Sequence, residues 1–442
     1  MNLGARSRRI VTALLTVLLP MSALTACSDG RDKATSPPGT PGVTSKPCPN
    51  AVNPGNGCIY LGVLTDRSGV FRTIAGPATE SQRAFWEKVN RQGGIGGYDI
   101  NIVTYTRDTK YLVPVFESEF EATKDKVFAY AQLLGSAQVA AVLPKMKAEK
   151  IIGAPLSWTS QWAFEDNILE SGNSYCFEAM NAVDYAVEAF AAEKKPYKIS
   201  SVMSVHYAGD YGGDAQGGVR AAAAYHRLGY HHAPLEPGLP QEAIKDVVKQ
   251  KPSLVVLTTS PADTAAIVEG AVARGFKGRF LGSSPSWSRM LIKDPGKIRS
   301  AMESRFWLAG PWRPFATDSP GHAEMRSALG NAGTTNADDS FVSGWAFSFP
   351  LRAALEKAAA TGVMTRESLF TAARSLTRID YQGILPKTAG NFSGDANAHA
   401  FRESVLSRPD HRQFSGVRVI RDFWEGPTAE HFTLTKPCYT AA

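Results

Sequence analysis

The sequence predicts an α/β protein made of two Rossmann-like lobes. Apolar runs typical of buried strands alternate with amphipathic segments typical of helices, and this alternation restarts near the middle of the chain. The part after residue 58 holds about 385 residues, which is too many for one compact core and comfortable for two domains. Strand–helix repeats of this kind favour parallel sheets with helices on both faces.

The first repeat contains three strand–helix units. Its opening apolar run, 59–65, predicts a buried strand, and the amphipathic segment 76–91 predicts a helix that stops at the glycine-rich stretch 93–97. The remaining expected elements are a strand over 98–105, a helix over 116–126, a strand over 127–134, a helix over 138–150 and a strand over 151–154.

The second repeat begins near residue 199. Its expected strands are 199–205, 254–258, 280–281 and 305–308, and its expected helices are 217–228, 241–248 and 262–274. His231 and His232 fall on a segment that we interpret as an exposed turn. The stretch 391–425 shows no clear pattern, and we expect only that it returns to the second lobe.

Small hydroxyl and aromatic residues alternate in the loops that follow the predicted strands. Ligands of open α/β sheets bind beyond the carboxyl ends of the strands. The expected ligand loops are therefore 65–69, 135–138, 155–159, 206–212, 258–260 and 282–287. Their composition favours a small polar organic ligand.

The N-terminus has the features of an export signal. Three arginines lie within the first nine residues, an apolar run spans 10–19, and Leu24-Thr25-Ala26-Cys27 follows. The last four residues resemble a bacterial lipobox, so we expect a signal peptide over 1–26 and a lipid on Cys27. An ordinary signal with a cysteine nearby is the alternative. Cleavage lowers the formal charge from +7 to +4, which does not indicate nucleic acid as a partner.

The segment after Cys27 predicts a tether. Residues 28–49 are rich in Gly, Pro, Ser and Thr and contain few large apolar side chains. Such a composition buries too little surface to offset the entropy of ordering, so we expect 27–58 to be a lipidated, flexible linker.

Four further cysteines predict two disulfides. An even number in an oxidising compartment favours pairing over free thiols. Three pairings are possible, and we favour Cys48–Cys58, which closes a small loop, with Cys176–Cys438, which fixes the C-terminal tail. The chain has no Cys-x-x-Cys and no Cys/His cluster, so we expect no metal and no cofactor.

Residues 59–108 resemble a known family. Leu61-Gly62-Val63 leads to Ser68-Gly69, and Asn90 precedes Gly93-Gly94-Ile95-Gly96 in the pattern N-x-x-G-G-I-x-G. These motifs are similar to the opening of the branched-chain amino acid-binding family, the type I periplasmic binding proteins of ABC importers. Later loops, around 134–136 and 207–213, are also similar, and the resemblance weakens beyond 390.

The resemblance implies the chain's path and role. The family chain crosses between lobes three times, which implies a first lobe of 59–180 with 311–375 and a second of 181–310 with 376–442. It implies an extracytoplasmic solute-binding lipoprotein on the bacterial cell membrane. Such a protein captures an amino acid, an amide or a related compound in the cleft and delivers it to an ABC permease.

The resemblance also suggests residues of the first lobe that contact the ligand. In the family, a ligand carboxylate rests on hydroxyls and backbone N–H groups, a role that Ser136, next to Ala137, fits by position. Ser136 could instead act only as an N-cap. Ser157 or Thr159 takes the place of the family's second hydroxyl, but Trp158 between them departs from the pattern. That departure favours a flat or apolar ligand, unless Trp158 is a core residue.

The second lobe supplies the remaining candidates. Asp210 could pair with a ligand cation or simply form a turn, and Tyr211 occupies a loop where the family often has an aromatic residue. Trp287 and Trp312 follow predicted strands, although Pro285 and Pro311 beside them are equally typical of plain turns.

Three classes of function fit such a fold. Delivery of a solute to an importer is the first, a sensing module for a membrane receptor is the second, and a secreted hydrolase is the third. The chain has no G-x-S-x-G, H-E-x-x-H or Walker motif, so we expect no enzyme.

Overall fold

Two β-sheets form the frame of the protein. The computed structural model describes residues 33–193, 199–335 and 338–440. The strands are β1 (Val43–Thr44), β2 (Gly57–Thr65), β3 (Tyr98–Asn101), β4 (Thr106–Asp108), β5 (Ala129–Leu134), β6 (Gly153–Leu156), β7 (Ser201–Tyr207), β8 (Gly229–Leu235), β9 (Leu254–Thr258), β10 (Arg279–Gly282), β11 (Phe306–Gly310), β12 (Ser404–Pro409) and β13 (Val417–Trp424).

Helices cover both faces of each sheet. They are α1 (Arg72–Arg91), α2 (Val113–Thr123), α3 (Ser136–Ala148), α4 (Tyr175–Ala191), α5 (Asp210–Tyr225), α6 (Gln241–Gln250), α7 (Pro261–Ala273), α8 (Met290–Lys293), α9 (Lys297–Arg305), α10 (Pro320–Leu329), α11 (Asn331–Thr335), α12 (Ser340–Ala346), α13 (Ser348–Ala359), α14 (Arg366–Arg374), α15 (Ala396–His399) and α16 (Pro427–His431).

The first sheet is built around the long strand β2. The first half of β2 pairs with β1 and β3, and its second half pairs in parallel with β4 and β5, which in turn pairs with β6. The predicted single strand over 98–105 is wrong, because the chain turns after β3. The side-chain oxygen of Asn101 accepts the N–H groups of Val103 and Thr104, which bends the backbone before β4.

The second sheet has seven strands in the order β13-β12-β11-β10-β9-β7-β8. Five of them are parallel, and β12 and β13 add an antiparallel edge from the stretch whose sequence showed no clear pattern. Of the stretch 391–425, residues 404–424 therefore contribute to this sheet. His231 and His232 lie on β8, which pairs with β7, so the predicted turn is wrong.

We call the first sheet and its helices lobe 1, and the second sheet and its helices lobe 2. Lobe 1 holds β1–β6, α1–α3 and α10–α15; lobe 2 holds β7–β13, α4–α9 and α16. The chain passes between the lobes after β6, after β11 and after α15. The predicted α/β class with two Rossmann-like lobes and three crossings is confirmed.

Two segments lie on the other side of the predicted lobe boundaries. Residues 175–180 were expected in lobe 1, yet they open α4, which packs against α5 of lobe 2. Residues 376–392 were expected in lobe 2, yet Tyr381 packs against Phe349 of lobe 1 at 5.6 Å between ring centres. Amphipathic patterns show that these segments are buried but not against which sheet.

The N-terminal segment is attached to lobe 1 over most of its described length. Ala34 donates its N–H to Gly96, Thr35 exchanges hydrogen bonds with 362 and 364, and β1 adds a strand to the sheet. Residues 33–58 therefore do not form the flexible linker that was expected over 27–58. Backbone pairing and the disulfide offset the entropy that composition alone suggested would keep this segment mobile. The predicted signal peptide 1–26 and the lipidated Cys27 lie outside the described residues.

Both predicted disulfides are present. Cys48 pairs with Cys58 beside β2, and Cys176 at the start of α4 pairs with Cys438 in the tail. The second bond holds the C-terminus against α5, where Gly213 and Gly217 leave room for Tyr439 and Cys438.

Helix α5 begins at Asp210, seven residues before the predicted start at 217. Glycines normally argue against a helix, which is why its first turns were expected to be loop. A Cβ at Gly218 would lie 2.1 Å from the carbonyl oxygen of Cys176, and one at Gly213 would lie 2.2 Å from the Tyr439 ring. These glycines permit close packing, which outweighs their low helix propensity.

Candidate ligand-binding cleft

A cleft lies between the lobes, at the carboxyl ends of the parallel strands of both sheets. The cleft is narrow, with a cavity volume of about 70 Å³. It is lined by Phe71, Ile74, Tyr111, Leu134, Gly135, Ser136, Leu156, Ser157, Trp158, Tyr175, Tyr211, Ser284, Pro285, Trp287, Leu308, Gly310, Trp312, Pro314, Asp339, Ser340, Ser343, Val405 and Ser407.

The N-terminus of α3 forms the polar end of the lobe 1 wall. Gly135 turns the chain from β5 into the helix at φ +103°, and a Cβ there would lie 2.1 Å from Oε1 of Gln138. Ser136 follows as the first helical residue and is only 1% exposed. Its hydroxyl has no partner within the described structure, and no side chain caps the helix. A helix N-terminus with an unused hydroxyl favours an anionic or carbonyl group.

Trp158 and Trp312 form an aromatic part of the wall. Their rings meet edge to face at 5.1 Å, and Trp158 also contacts Tyr175 at 6.1 Å. The indole N–H of Trp158 donates to the carbonyl of Ser171 at 2.9 Å. Trp158 therefore lines the cleft and is also packed in the core. The sequence by itself presents these two positions as alternatives.

Tyr211 brings lobe 2 into contact with lobe 1. Its ring lies 4.7 Å from Tyr175 and 6.0 Å from Phe71 of lobe 1, and its hydroxyl lies 2.7 Å from that of Ser283. Aromatic pairs at such distances are attractive beyond the area that they bury. The lobes thus touch across the cleft through rings.

Most cleft hydroxyls already have partners within the protein. Those of Ser284, Ser340 and Ser343 donate to Glu178, Asp338 and the carbonyl of Ser340, and that of Ser157 accepts from Trp162. Among the cleft's polar side chains, the buried groups without a partner in the described chain are the Ser136 hydroxyl and the Trp287 indole N–H.

Asp339 is the one acidic residue among the lining residues, and no Lys, Arg or His lines the cleft as described. Its carboxylate accepts the N–H of Phe315 at 2.7 Å. Burial raises its pKa to about 7, and the neighbouring Asp338 adds to this rise. A carboxyl that is partly neutral is a weak partner for an ammonium group.

Asp210 lies beside the cleft, in a junction between the lobes. It accepts a hydrogen bond from the Thr159 hydroxyl at 3.0 Å, and Asp214 one turn later accepts from the hydroxyl and the N–H of Ser160. Asp214 also accepts the N–H of Cys176 at 2.9 Å. Burial raises the pKa of Asp210 to about 6 and that of Asp214 to about 7.

The cleft brings together five of the candidate residues from the sequence, namely Ser136, Ser157, Trp158, Tyr211 and Trp287, and also the weaker candidate Trp312. Ala137, Thr159 and Asp210 do not line it. Contact of any of these residues with a ligand stays a prediction. Sequence reasoning missed the lining residues Phe71, Tyr111, Tyr175, Asp339, Ser340 and Ser343. Only the spacing of Ser340 and Ser343 on one helix face gave a usable signal.

One cluster of possible metal ligands lies away from the cleft. Glu303, Asp410 and His411 place ligand atoms within 4.8 Å of one another. Asp410 is already paired with Arg412, and Nδ1 of His411 lies 2.6 Å from Glu303. These contacts account for the cluster as an ion-pair network.

The family described as periplasmic binding protein matches residues 58–412 of the chain. The chain belongs to the periplasmic binding protein family. The family resemblance inferred from the sequence is thereby confirmed. Members bind small solutes outside the cytoplasm and deliver them to a permease. No curated protein matches the sequence significantly.

Solved structures agree with this assignment. A fatty acid ABC transporter substrate-binding protein from Thermomonospora curvata has 27% identity and a TM-score of 0.80, covering 91% of this chain and 99% of its own. A branched-chain amino acid ABC transporter protein from Thermus thermophilus with bound valine has 16% identity and a TM-score of 0.69, covering 85% and 98%. A Rhodopseudomonas palustris BisB5 solute-binding protein in complex with 3,4-dihydroxy benzoic acid has 12% identity and a TM-score of 0.66, covering 84% and 98%. The last two show the fold alone.

Among the described residues of this periplasmic binding protein, no helix has the length and apolar character needed to cross a membrane.

Proposed function

We propose that this periplasmic binding protein captures an organic acid with an apolar body and delivers it to an ABC permease. The observation that carries the proposal is the unpartnered Ser136 hydroxyl at the N-terminus of α3, facing a narrow cleft with mainly aromatic and aliphatic walls. This ligand class differs from the amino acid, amide or related compound expected from the sequence, because the ligand proposed here carries no ammonium group.

An acidic head suits the α3 end of the cleft. The first N–H groups of a helix and a serine hydroxyl are hydrogen-bond donors, and the helix dipole adds a positive potential. No cationic side chain is needed for such a site, which fits the absence of Lys and Arg from the described lining.

An apolar body suits the walls. Trp158, Trp312, Tyr175 and Tyr211 offer rings, and Asp339 is a poor partner for the ammonium group of an amino acid because its pKa is raised to about 7. The 27% identity to a fatty acid ABC transporter substrate-binding protein supports this choice.

Calorimetric titration with decanoate, benzoate and leucine tests the ligand class. We expect decanoate or benzoate to bind at least about tenfold more tightly than leucine, because burying an apolar body is favourable and an unpaired ammonium in the cleft is costly. Tighter binding of leucine than of both acids would contradict the proposal.

Membrane attachment through Cys27 is part of the same proposal. The lipobox-like Leu24-Thr25-Ala26-Cys27 supports it. Mass spectrometry of protein extracted from membranes should find a diacylglyceryl group on Cys27, and Cys27→Ser should release the protein or block its processing. An unmodified Cys27 at the mature N-terminus of membrane-extracted protein would refute the anchor.

A further inference from the structure

Trp287 is a cleft residue of lobe 2 with a fixed ring. It is 3% exposed, and its ring stacks against Phe306 with 6.4 Å between ring centres and 29° between planes. Its backbone N–H donates to the carbonyl of Ser284, which closes a short turn. The indole therefore has little freedom to rotate.

A buried carboxylate holds the turn that carries Trp287. Glu178 on the first turn of α4 is 1% exposed and accepts both the N–H and the hydroxyl of Ser284 at 3.0 Å. Ser286 adds a hydrogen bond to the carbonyl of Ser283 at 2.7 Å. The Glu178 bonds thus fix the loop 283–287 against α4 of lobe 2, and the Ser286 bond fixes the shape of the loop itself.

The indole N–H of Trp287 has no partner in the described part of the protein. Those of Trp158 and Trp162 donate to carbonyl oxygens. Trp86 and Trp345 also have unpartnered N–H groups, but both lie in the lobe 1 core away from the cleft. Trp287 is therefore a cleft-lining tryptophan with a buried, unused donor, which a ligand can satisfy.

We propose that the Trp287 indole N–H is a second polar subsite that binds an oxygen on the ligand body, so that the preferred solute is a hydroxy- or oxo-substituted organic acid. This inference rests on the proposed function and narrows its ligand class. An indole N–H donates and never accepts, so the subsite selects a hydroxyl or carbonyl oxygen and rejects an ammonium group.

Positional isomers of one hydroxy acid test the subsite, because together they sample a series of distances between the carboxylate head and the body oxygen. Titration calorimetry compares dodecanoate with 3-, 6-, 9- and 12-hydroxydodecanoate on the wild-type protein. At least one isomer should bind about fivefold or more tightly than dodecanoate, the effect of one neutral hydrogen bond. The other isomers should bind more weakly than dodecanoate, because their hydroxyl is buried without a partner.

Two tryptophan variants show whether the preference depends on the indole N–H. Trp287→Phe keeps an aromatic ring and should abolish the preference for the best isomer. Trp158→Phe is the matched control: its N–H is used by Ser171, so it should weaken both acids and keep their ratio. Thermal melts confirm that each variant is folded. If Trp287→Phe does not fold, the comparison of the isomers on the wild-type protein tests the subsite by itself.

The outcomes separate this inference from the proposed function. Binding of dodecanoate with no preferred isomer, or a preference that survives in Trp287→Phe, overturns the Trp287 subsite and leaves the proposed function intact. Failure of every acid to bind overturns both.

Discussion

The N-termini of α3 and α5 have the same backbone geometry but differ in what their first side chains bind. Each follows the carboxyl end of a parallel strand, and each begins after a glycine with positive φ, Gly135 at +103° and Gly209 at +84°. Helix α3 then starts with Ser136, whose hydroxyl is unused at the cleft. Helix α5 starts with Asp210, whose carboxylate is bonded to Thr159 of lobe 1.

The difference shows that the first residue of a helix decides whether its N-terminus can bind an external anion or instead bonds to another part of the protein. A neutral hydroxyl leaves the positive end of the helix dipole open to an external anion. A carboxylate at the same place occupies that potential and repels an anionic ligand. On α5 the carboxyl groups of Asp210 and Asp214 accept hydrogen bonds from Thr159 and Ser160 of lobe 1 and so join the lobes.

The largest expected effect concerns the junction at α5. Asp214→Ala should lower the free energy of unfolding by about 3 kcal/mol or more, because it leaves the buried N–H groups of Ser160 and Cys176 without an acceptor. Urea denaturation measures the change. Asp214→Asn keeps one acceptor and should lose clearly less. Equal stability of Asp214→Ala and wild type would show that the junction does not stabilise the fold.

The next largest effect is expected from placing a carboxylate at the start of α3, as Asp210 does at the start of α5. Ser136→Asp should weaken binding of decanoate about 100-fold, close to 3 kcal/mol, because a carboxylate would repel the acidic head of the ligand. Ser136→Ala, the matched control, should lose only about fivefold, the effect of one hydrogen bond. Calorimetric titration measures both. If Ser136→Asp binds decanoate as well as Ser136→Ala does, the acid lies elsewhere.

The smallest effect is the pH dependence of the α5 junction. The pKa values of Asp210 and Asp214 are raised from 3.8 to about 6 and about 7 by burial, so the folded chain binds these protons more tightly. Their contribution is fully present below pH about 4 and is lost as the pH rises through about 6 and 7. Between pH 6 and 8, wild type should lose on the order of 2 kcal/mol relative to the double variant Asp210→Asn/Asp214→Asn. Parallel denaturation curves for the two proteins would contradict this.

The sequence located much of the cleft because strand ends can be found by pattern. Ser136, Trp158 and Tyr211 follow apolar runs, and the carboxyl ends of parallel strands meet at one edge. Tyr175 and Asp339 were missed because they lie at the starts of α4 and α12, which reach the cleft only through the path of the chain between the lobes. No local pattern encodes that approach.

The sequence by itself determined the α/β class, the two repeats and the family, and it indicated two disulfides while leaving three pairings possible. These depend on periodicity, motifs and cysteine number, which are local or countable. The tertiary structure decided that residues 33–58 are attached to lobe 1, that the glycine-rich stretch after 209 is helical, and that Asp210 joins the lobes. Each of these depends on partners distant in the sequence, such as Gly96, Tyr439 and Thr159. Burial and hydrogen bonds with such partners outweigh the local preferences of the residues themselves.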